Sequence, residues 1–381
     1  MPIYLDNAAT SFPKPESVYQ AFNDVFRNIG ANPGRSGHRW GIQANHIVAD
    51  VREKIADFFN IPNPSSVVFT HNCTEAINLG IKGLLKRGDH VITTSMEHNS
   101  VLRPLRSLAY KGVETTIVEC SREGIVDPDD VKKEIRKNTR LIVVTYASNA
   151  TGVLMPIEEI SRIVKNYGIV FMVDAAQSAG VIQIDVQKLG IDLLACPGHK
   201  ALLGPQGTGF LSIGDGIQLS PLLEGGTGWS SELEEQPEAL PEKFESGTLN
   251  TPALNGLGAG IDFIKKVGIE NIKNHENHLI SELNSRLYEI EEIEVYGLHD
   301  HEKKTGIFSF NIKGLNPSDA GFILDNAYDI LTRVGLHCAP VAHRTLGTFP
   351  YGFVRVSVGH FNTIDEIELF CEAIGEIIRQ L

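Results

Sequence analysis

The chain has 381 residues, 42% of them hydrophobic and 21% charged, with a formal net charge of −13 at pH 7. That length exceeds what one hydrophobic core usually fills, so two packed units are expected and a single all-helical or all-strand unit is excluded. The acidic balance excludes a duplex nucleic-acid partner, which is gripped by Lys and Arg against phosphate, while a small anionic substrate in a local basic pocket stays compatible with it.

No stretch is long and apolar enough to span a bilayer. The opening MPIYLDNAATSF has neither the basic region nor the apolar core of a leader, so a cytoplasmic protein without membrane attachment is expected. Cysteines 73, 120, 196, 338 and 371 are odd in number and form no CxxC pair, which predicts neither a disulfide framework nor a bound metal.

In chain order, SSVVFT (65–70), HVITTS (90–95), VETTIVEC (113–120), RLIVVTYA (140–147), IVFMVDAA (169–176) and DLLACP (192–197) read as strands. Helical spacing fills the gaps at TEAINLGIKGLLKRG, DPDDVKKEIRKN and PIEEISRIVKNYG, and Asp127 before Pro128 is a helix start signal. Strands that are apolar throughout are buried on both faces, so the expected class is α/β, a mostly parallel sheet with helices on each side. After TLNTPALNGL the pattern changes to helices over about 252–267 and 273–290. The strand GIFSFNIKG, a helix from Pro317, the strand FVRVSVG and a helix from Thr363 complete an α+β unit. The main boundary is placed near 255, giving a large unit of 15–255 and a smaller one of 256–381 onto which residues 1–14 pack.

Several polar residues follow predicted strands, where α/β sheets place their chemistry. Lys200 comes after DLLACP and before GPQGTG, whose glycines allow close backbone approach. Asp174 ends the apolar strand IVFMVDAA, with Gln177 three residues on. A carboxylate there can hold a pyridine nitrogen protonated; the local alternative is a helix cap. Asn149 in YASNATG can reach a ring hydroxyl or act as a turn former, and His98 in SMEHNS can stack on a ring, move protons or cap a helix. In FTHNCTEAINLG, Cys73 and Thr74 open a helix whose free N–H groups can receive a phosphate, and His199 can add a charge-assisted bond. An amine, an acceptor for a ring N–H, a ring platform and a phosphate cradle are the needs of pyridoxal phosphate.

Arg355 in FVRVSVG and, less centrally, Arg333 can take a substrate carboxylate; a salt bridge to an acid between the units is the alternative for Arg355. Cys338 in RVGLHCAP lies on a predicted loop with polar and basic neighbours, a setting that raises the thiolate fraction. Cys196 and Cys371 read as buried hydrophobes.

The motifs YLDNAATS, FTHNCTEAIN, SMEHNS, YASNATG, VDAAQSAG, GHKALLGPQGTG, FESGTLNTP, RVGLHCAP and VRVSVGHFNT occur together in an order that resembles the cysteine desulfurase and selenocysteine lyase family, within the class V aminotransferase group of fold-type I pyridoxal phosphate enzymes. That resemblance covers nearly the whole chain. It implies a seven-stranded sheet in the large unit, a Schiff base on Lys200, Asp174 at the pyridine nitrogen, Gln177 at the ring hydroxyl, His98 on the ring face and Arg355 at the substrate carboxylate. It also implies a homodimer in which Thr248 reaches the phosphate of the neighbouring subunit. The short HCAP loop resembles the branch that includes sulfur-mobilising and selenocysteine-lyase enzymes. Pro197 stands where many relatives carry Ser and offers a phosphate neither hydroxyl nor N–H. The stretch between Glu224 and Thr248 also departs from the better-known members and resembles a desulfurase-like branch.

The expected reaction is desulfuration of L-cysteine to alanine, with sulfur passing to Cys338 as a persulfide and then to an acceptor protein or small thiol. The rival readings are a selenocysteine lyase or other carbon–sulfur lyase, an aminotransferase or epimerase, and a cofactor-binding regulator without turnover.

Overall fold

The computed structural model describes residues 2–34 and 37–381. After a short strand β1 (Ile3–Tyr4), two helices, α1 (Glu16–Asn28) and α2 (Arg39–Phe59), lead into β2 (Val67–Thr70). Strand and helix then alternate: α3 (Cys73–Leu84), β3 (His90–Thr94), α4 (Asn99–Ala109), β4 (Glu114–Val118), α5 (Pro128–Lys133), β5 (Thr139–Thr145), α6 (Ile157–Lys165), β6 (Val170–Asp174), α7 (Val186–Leu189), β7 (Leu193–Pro197) and β8 (Gly209–Ile213). Asp127 caps α5 as its sequence position predicts, accepting from the Asp129 N–H.

These strands form one seven-stranded sheet in the order β2-β8-β7-β6-β5-β3-β4. Only β8 is antiparallel to its neighbours, β2 and β7. Side chains alternate across the sheet: Leu141 and Val143 of β5 enter one apolar cluster, Ile142 and Val144 the other. Both faces are therefore buried, which is why these strands read as unbroken apolar runs. Strand β8 was absent from the pattern reading, because its five residues lie between glycine-rich turns and look like loop.

The second unit contains α9 (Ile269–Leu287), β9 (Ile293–Tyr296), β10 (Ile307–Ile312), α10 (Pro317–Tyr328), β11 (Ile330–Leu331), β12 (Arg333–Gly335), α11 (Pro340–Leu346), β13 (Phe353–Ser357) and α12 (Ile364–Arg379). Its four-stranded antiparallel sheet runs β12-β13-β10-β9. Thr363 and Glu366 close a reciprocal capping box at the start of α12. Strand β1 pairs in parallel with β11, and Leu5 enters this unit's apolar cluster.

Between the units runs α8 (Thr251–Val267). The expected break near 255 falls inside it. Its buried Leu254, Leu257, Ile261 and Ile264 join the large unit's core, because its apolar stripe continues unbroken to Ile264, and Ile272 of α9 enters the same cluster. Among the described residues no helix is long and apolar enough to cross a membrane.

Candidate active site

The ends of β2, β3, β5, β6 and β7 converge on a pocket with about 490 Å³ of empty space, lined by Cys73, Thr74, His98, Asn149, Asp174, Gln177, His199 and Lys200. Each of these eight residues lies at or just beyond the C-terminal end of a strand, Cys73 sharing its segment with Thr74 and His199 with Lys200. Asp174 and Gln177 belong to one turn after β6.

Asp174 is 2% exposed and accepts from the Ala176 N–H at 2.9 Å, with the Cys73 thiol 3.5 Å away. Burial pushes its carboxyl upward, opposed by that amide and by Lys200. Burial lowers the Lys200 ammonium against the pull of Asp174. A neutral amine is the form that attacks an aldehyde. Gly180 backs this segment at φ +97°, so close to the Ala201 carbonyl that a Cβ has no room.

His98 caps α4, its Nδ1 accepting from the Ser100 N–H at 3.0 Å. A backbone amide can only donate, so the ring proton sits on Nε2. Burial and the nearby Lys200 lower this imidazole to about 4, which makes it a neutral platform. A hydroxyl chain from Thr74 Oγ1 to Ser100 Oγ (2.8 Å) and on to His98 Nδ1 (2.8 Å) ties the opening of α3 to it. Asn72 caps α3 by accepting from the Glu75 N–H, leaving the Cys73 and Thr74 amides toward the pocket. His199, also lowered by burial to about 4, is neutral and buries an Nδ1 without a partner.

Gln177 donates from Nε2 to the Ala8 carbonyl at 3.0 Å. Asn149 donates to the His337 carbonyl at 2.7 Å, while its buried Oδ1 has no partner. Arg355, 2% exposed on β13, donates to the Asn149 carbonyl at 2.9 Å and to Asp6 at 2.8 Å. Arg333, its cross-strand neighbour, reaches the other Asp6 oxygen at 3.6 Å. The salt bridge weighed as an alternative for Arg355 is thus present, and its acid is Asp6.

Cys338 is exposed on the loop before α11, next to the pocket: its carbonyl accepts from the Asn99 N–H at 2.8 Å. Both His337 (φ 48°) and Cys338 (φ 57°) hold left-handed backbone, a strained choice for two successive non-glycine residues. The basic neighbour expected to favour the thiolate is not His337. Its ring is stacked on Phe353 and faces His343 at 3.4 Å, and burial holds it neutral, well below the usual imidazole range. Thr248 is exposed and lies outside its own chain's pocket, beside Ser246 and Asn250 in a separate surface pocket.

The class-V aminotransferase family model matches residues 3–370. The chain is 39% identical to a probable cysteine desulfurase of Methanothermobacter thermautotrophicus, over 98% of this chain and 94% of that protein. It belongs to the cysteine desulfurase family. It is also 32% identical to a cysteine desulfurase of Cronobacter sakazakii, over 99% of this chain and 94% of that one. Among solved structures, the apo cysteine desulfurase of Thermococcus onnurineus superposes with a TM-score of 0.94 at 38% identity, covering 100% of this chain and 95% of that one.

Cysteine desulfurases are fold-type I pyridoxal phosphate enzymes, and the residues present fit that cofactor. The pocket holds an amine, a buried carboxylate, a helix N-terminus and two buried polar atoms without partners, Asn149 Oδ1 and His199 Nδ1. Three residues around the site were not singled out from sequence. Asp6 lies in the opening segment MPIYLDNAATSF and Lys14 two residues beyond it, but their partners are far along the chain. Glu97 precedes His98, is fully buried, and receives the Thr94 hydroxyl at 2.7 Å and the Thr145 N–H at 3.0 Å, fastening the end of β3 to that of β5.

Proposed function

We propose that this chain is a cysteine desulfurase that converts L-cysteine to L-alanine and takes the sulfur on Cys338 as a persulfide. The observation that carries this reading is the attachment of the exposed Cys338 loop to the pocket of Lys200 and Asp174, through Asn149 to the His337 carbonyl and Asn99 to the Cys338 carbonyl.

Bound in this pocket, pyridoxal phosphate supplies an aldehyde for amino groups and a ring that withdraws electrons from a substrate Cα. Asp174 would face the ring nitrogen, Gln177 and Asn149 the ring hydroxyl, and His98 the ring face. The Cys73 and Thr74 amides, the Thr74 hydroxyl and His199 would face the phosphate. Lys200 Nζ holds the cofactor and then accepts the Cα proton, a task its lowered basicity suits. Arg355, kept in place by Asp6, receives the substrate carboxylate, with Arg333 at its side.

The Cys338 thiolate attacks the substrate sulfur. A sulfur–sulfur bond forms, the carbon–sulfur bond breaks, and its electron pair stays with the three-carbon fragment, which is protonated and leaves as alanine. Cysteine plus thiol equals alanine plus persulfide, so no outside oxidant is needed. In this reading the chain divides into residues 15–255 and 1–14 with 256–381, acts in the cytoplasm as a homodimer in which the exposed Thr248 reaches the neighbouring phosphate, and passes its sulfur to an acceptor protein or small thiol.

The test is incubation with L-cysteine, measuring alanine and the alkylation-trapped mass at Cys338. Alanine with one added sulfur at Cys338, and loss of both in Cys338→Ser despite normal cofactor loading, is the expected result. Alanine formation undiminished in Cys338→Ser overturns the role of Cys338. Keto acid or racemised substrate without sulfur transfer moves the assignment to another reaction.

A further inference from the structure

The oxygen of the His199 carbonyl, whose carbon is bonded to the Lys200 nitrogen, is crowded with donors. Thr10 Oγ1 lies at 3.1 Å, Ser11 N at 3.2 Å, Ser11 Oγ at 3.3 Å and Lys14 Nζ at 2.6 Å. A carbonyl has two lone pairs, and with the single Ser11 hydroxyl proton given at shorter distance to the Lys200 carbonyl, the three remaining donors are still more than it needs. The next carbonyl, that of Lys200, takes Ser11 Oγ at 2.8 Å. All these groups come from one short segment that also sends Asp6 to Arg355 and the Ala8 carbonyl to Gln177.

Lys14 is the unusual member. Among the described residues it forms no ion pair, and its ammonium donates to the His199 carbonyl and to Ser11 Oγ, both at 2.6 Å. Burial lowers it to about 7. Withdrawing an ammonium from water without an acid partner is costly, and a lysine that served only to pin the opening segment would do so more cheaply at the surface.

We propose that Lys14 is a positioning residue for Lys200: by holding the His199 carbonyl it fixes the peptide from which the Lys200 side chain enters the pocket. This rests on the reading of Lys200 as the lysine that binds pyridoxal phosphate. Lys14 acts through the backbone, since the charges that bear on the Lys200 amine are those of Asp174, Cys73, Arg355 and Arg333. The Thr10 and Ser11 donors share the load, so the effect of Lys14 is graded.

The experiment uses full-length cofactor-free protein mixed with pyridoxal phosphate, then borohydride reduction and peptide mass analysis to locate and time the label. Wild type, Lys14→Met, Lys14→Arg and the surface control Lys54→Met are compared, with thermal unfolding recorded for each. Lys54 pairs with Asp50 and Asp262 away from the site. The expected result is labelling of Lys200 slowed roughly tenfold to a hundredfold in Lys14→Met, as for loss of one charge-assisted hydrogen bond. Lys14→Arg recovers most of that rate, Lys54→Met matches wild type, and unfolding temperatures stay alike. Wild-type labelling in a folded Lys14→Met overturns the proposal, as does an unfolding temperature that falls while the labelling of the folded fraction is unchanged. If Lys14→Met does not fold, Thr10→Val removes a neutral donor from the same carbonyl, and an unslowed rate there overturns it equally. Wild-type label on a lysine other than Lys200 refutes instead the reading beneath it.

Discussion

Glu97 gives a stability effect whose sign and size follow from one group. Its carboxyl is fully buried, and burial raises it from 4.5 to about 8 against the bonds from Thr94 and Thr145. The unfolded chain releases this proton first as pH rises, so the contribution of Glu97 is fully present below about 4.5 and is lost as pH climbs toward 8. Linkage puts that loss at about 1 kcal/mol by pH 5 and about 4 kcal/mol by pH 8, a difference of about 3 kcal/mol. Glu97→Gln has nearly the same shape, keeps an oxygen for the Thr145 N–H, and does not titrate. Urea unfolding of cofactor-free protein, followed by circular dichroism at pH 5 and pH 8, should show the variant gaining about 3 kcal/mol over wild type between the two. Other groups titrate alike in both proteins and drop out of the comparison. A variant displaced by the same amount at both pH values would mean that Glu97 is ionised in the fold, and the reasoning fails.

Asp6→Ala leaves Arg355 buried without its carboxylate, and urea unfolding should register a loss of about 3–5 kcal/mol. A loss under about 1 kcal/mol would show that the pair is not a buried anchor. Gly180→Ala pushes a Cβ into the Ala201 carbonyl at a φ that L residues rarely adopt, and should leave a folded protein whose pyridoxal phosphate content after gel filtration is at least roughly tenfold below wild type. Full loading of that variant would mean the Lys200 turn yields without harm.

The large sheet was legible because its strands are buried on both faces, and apolar runs such as Leu141–Val144 leave little room for another reading. Strand β8 was not, since five residues between glycine turns acquire meaning only beside β2 and β7. The pocket residues could be nominated because each follows a recognisable strand, and the fold brings eight of them together. What escaped was the support. Asp6 meets Arg355 across a sequence separation of 349 and Lys14 meets His199 across one of 185, separations that no local pattern encodes. The helix α8 was legible over almost its full length, whereas Leu254 to Ile264 look equally apolar whichever core they enter. His337 shows the reverse error, a residue basic by type and neutral in place because Phe353 and His343 shut it from water.

The position of β8 also sets an order in time. Strand β2, which delivers the Cys73 and Thr74 amides, touches β7, which delivers Lys200, only through β8. On the ribosome, lysine and carboxylate are both made before Gly209, and α3 packs on β6 and β7 with its Cys73 thiol beside Asp174, but the backbone pairing that ties β2 to β7 waits until Ile213 has been added. A chain halted in that interval leaves β2 and β7 unpaired along the edges that β8 fills, each a template for another copy. Once β8 is in place, only β2 and β4 border the sheet.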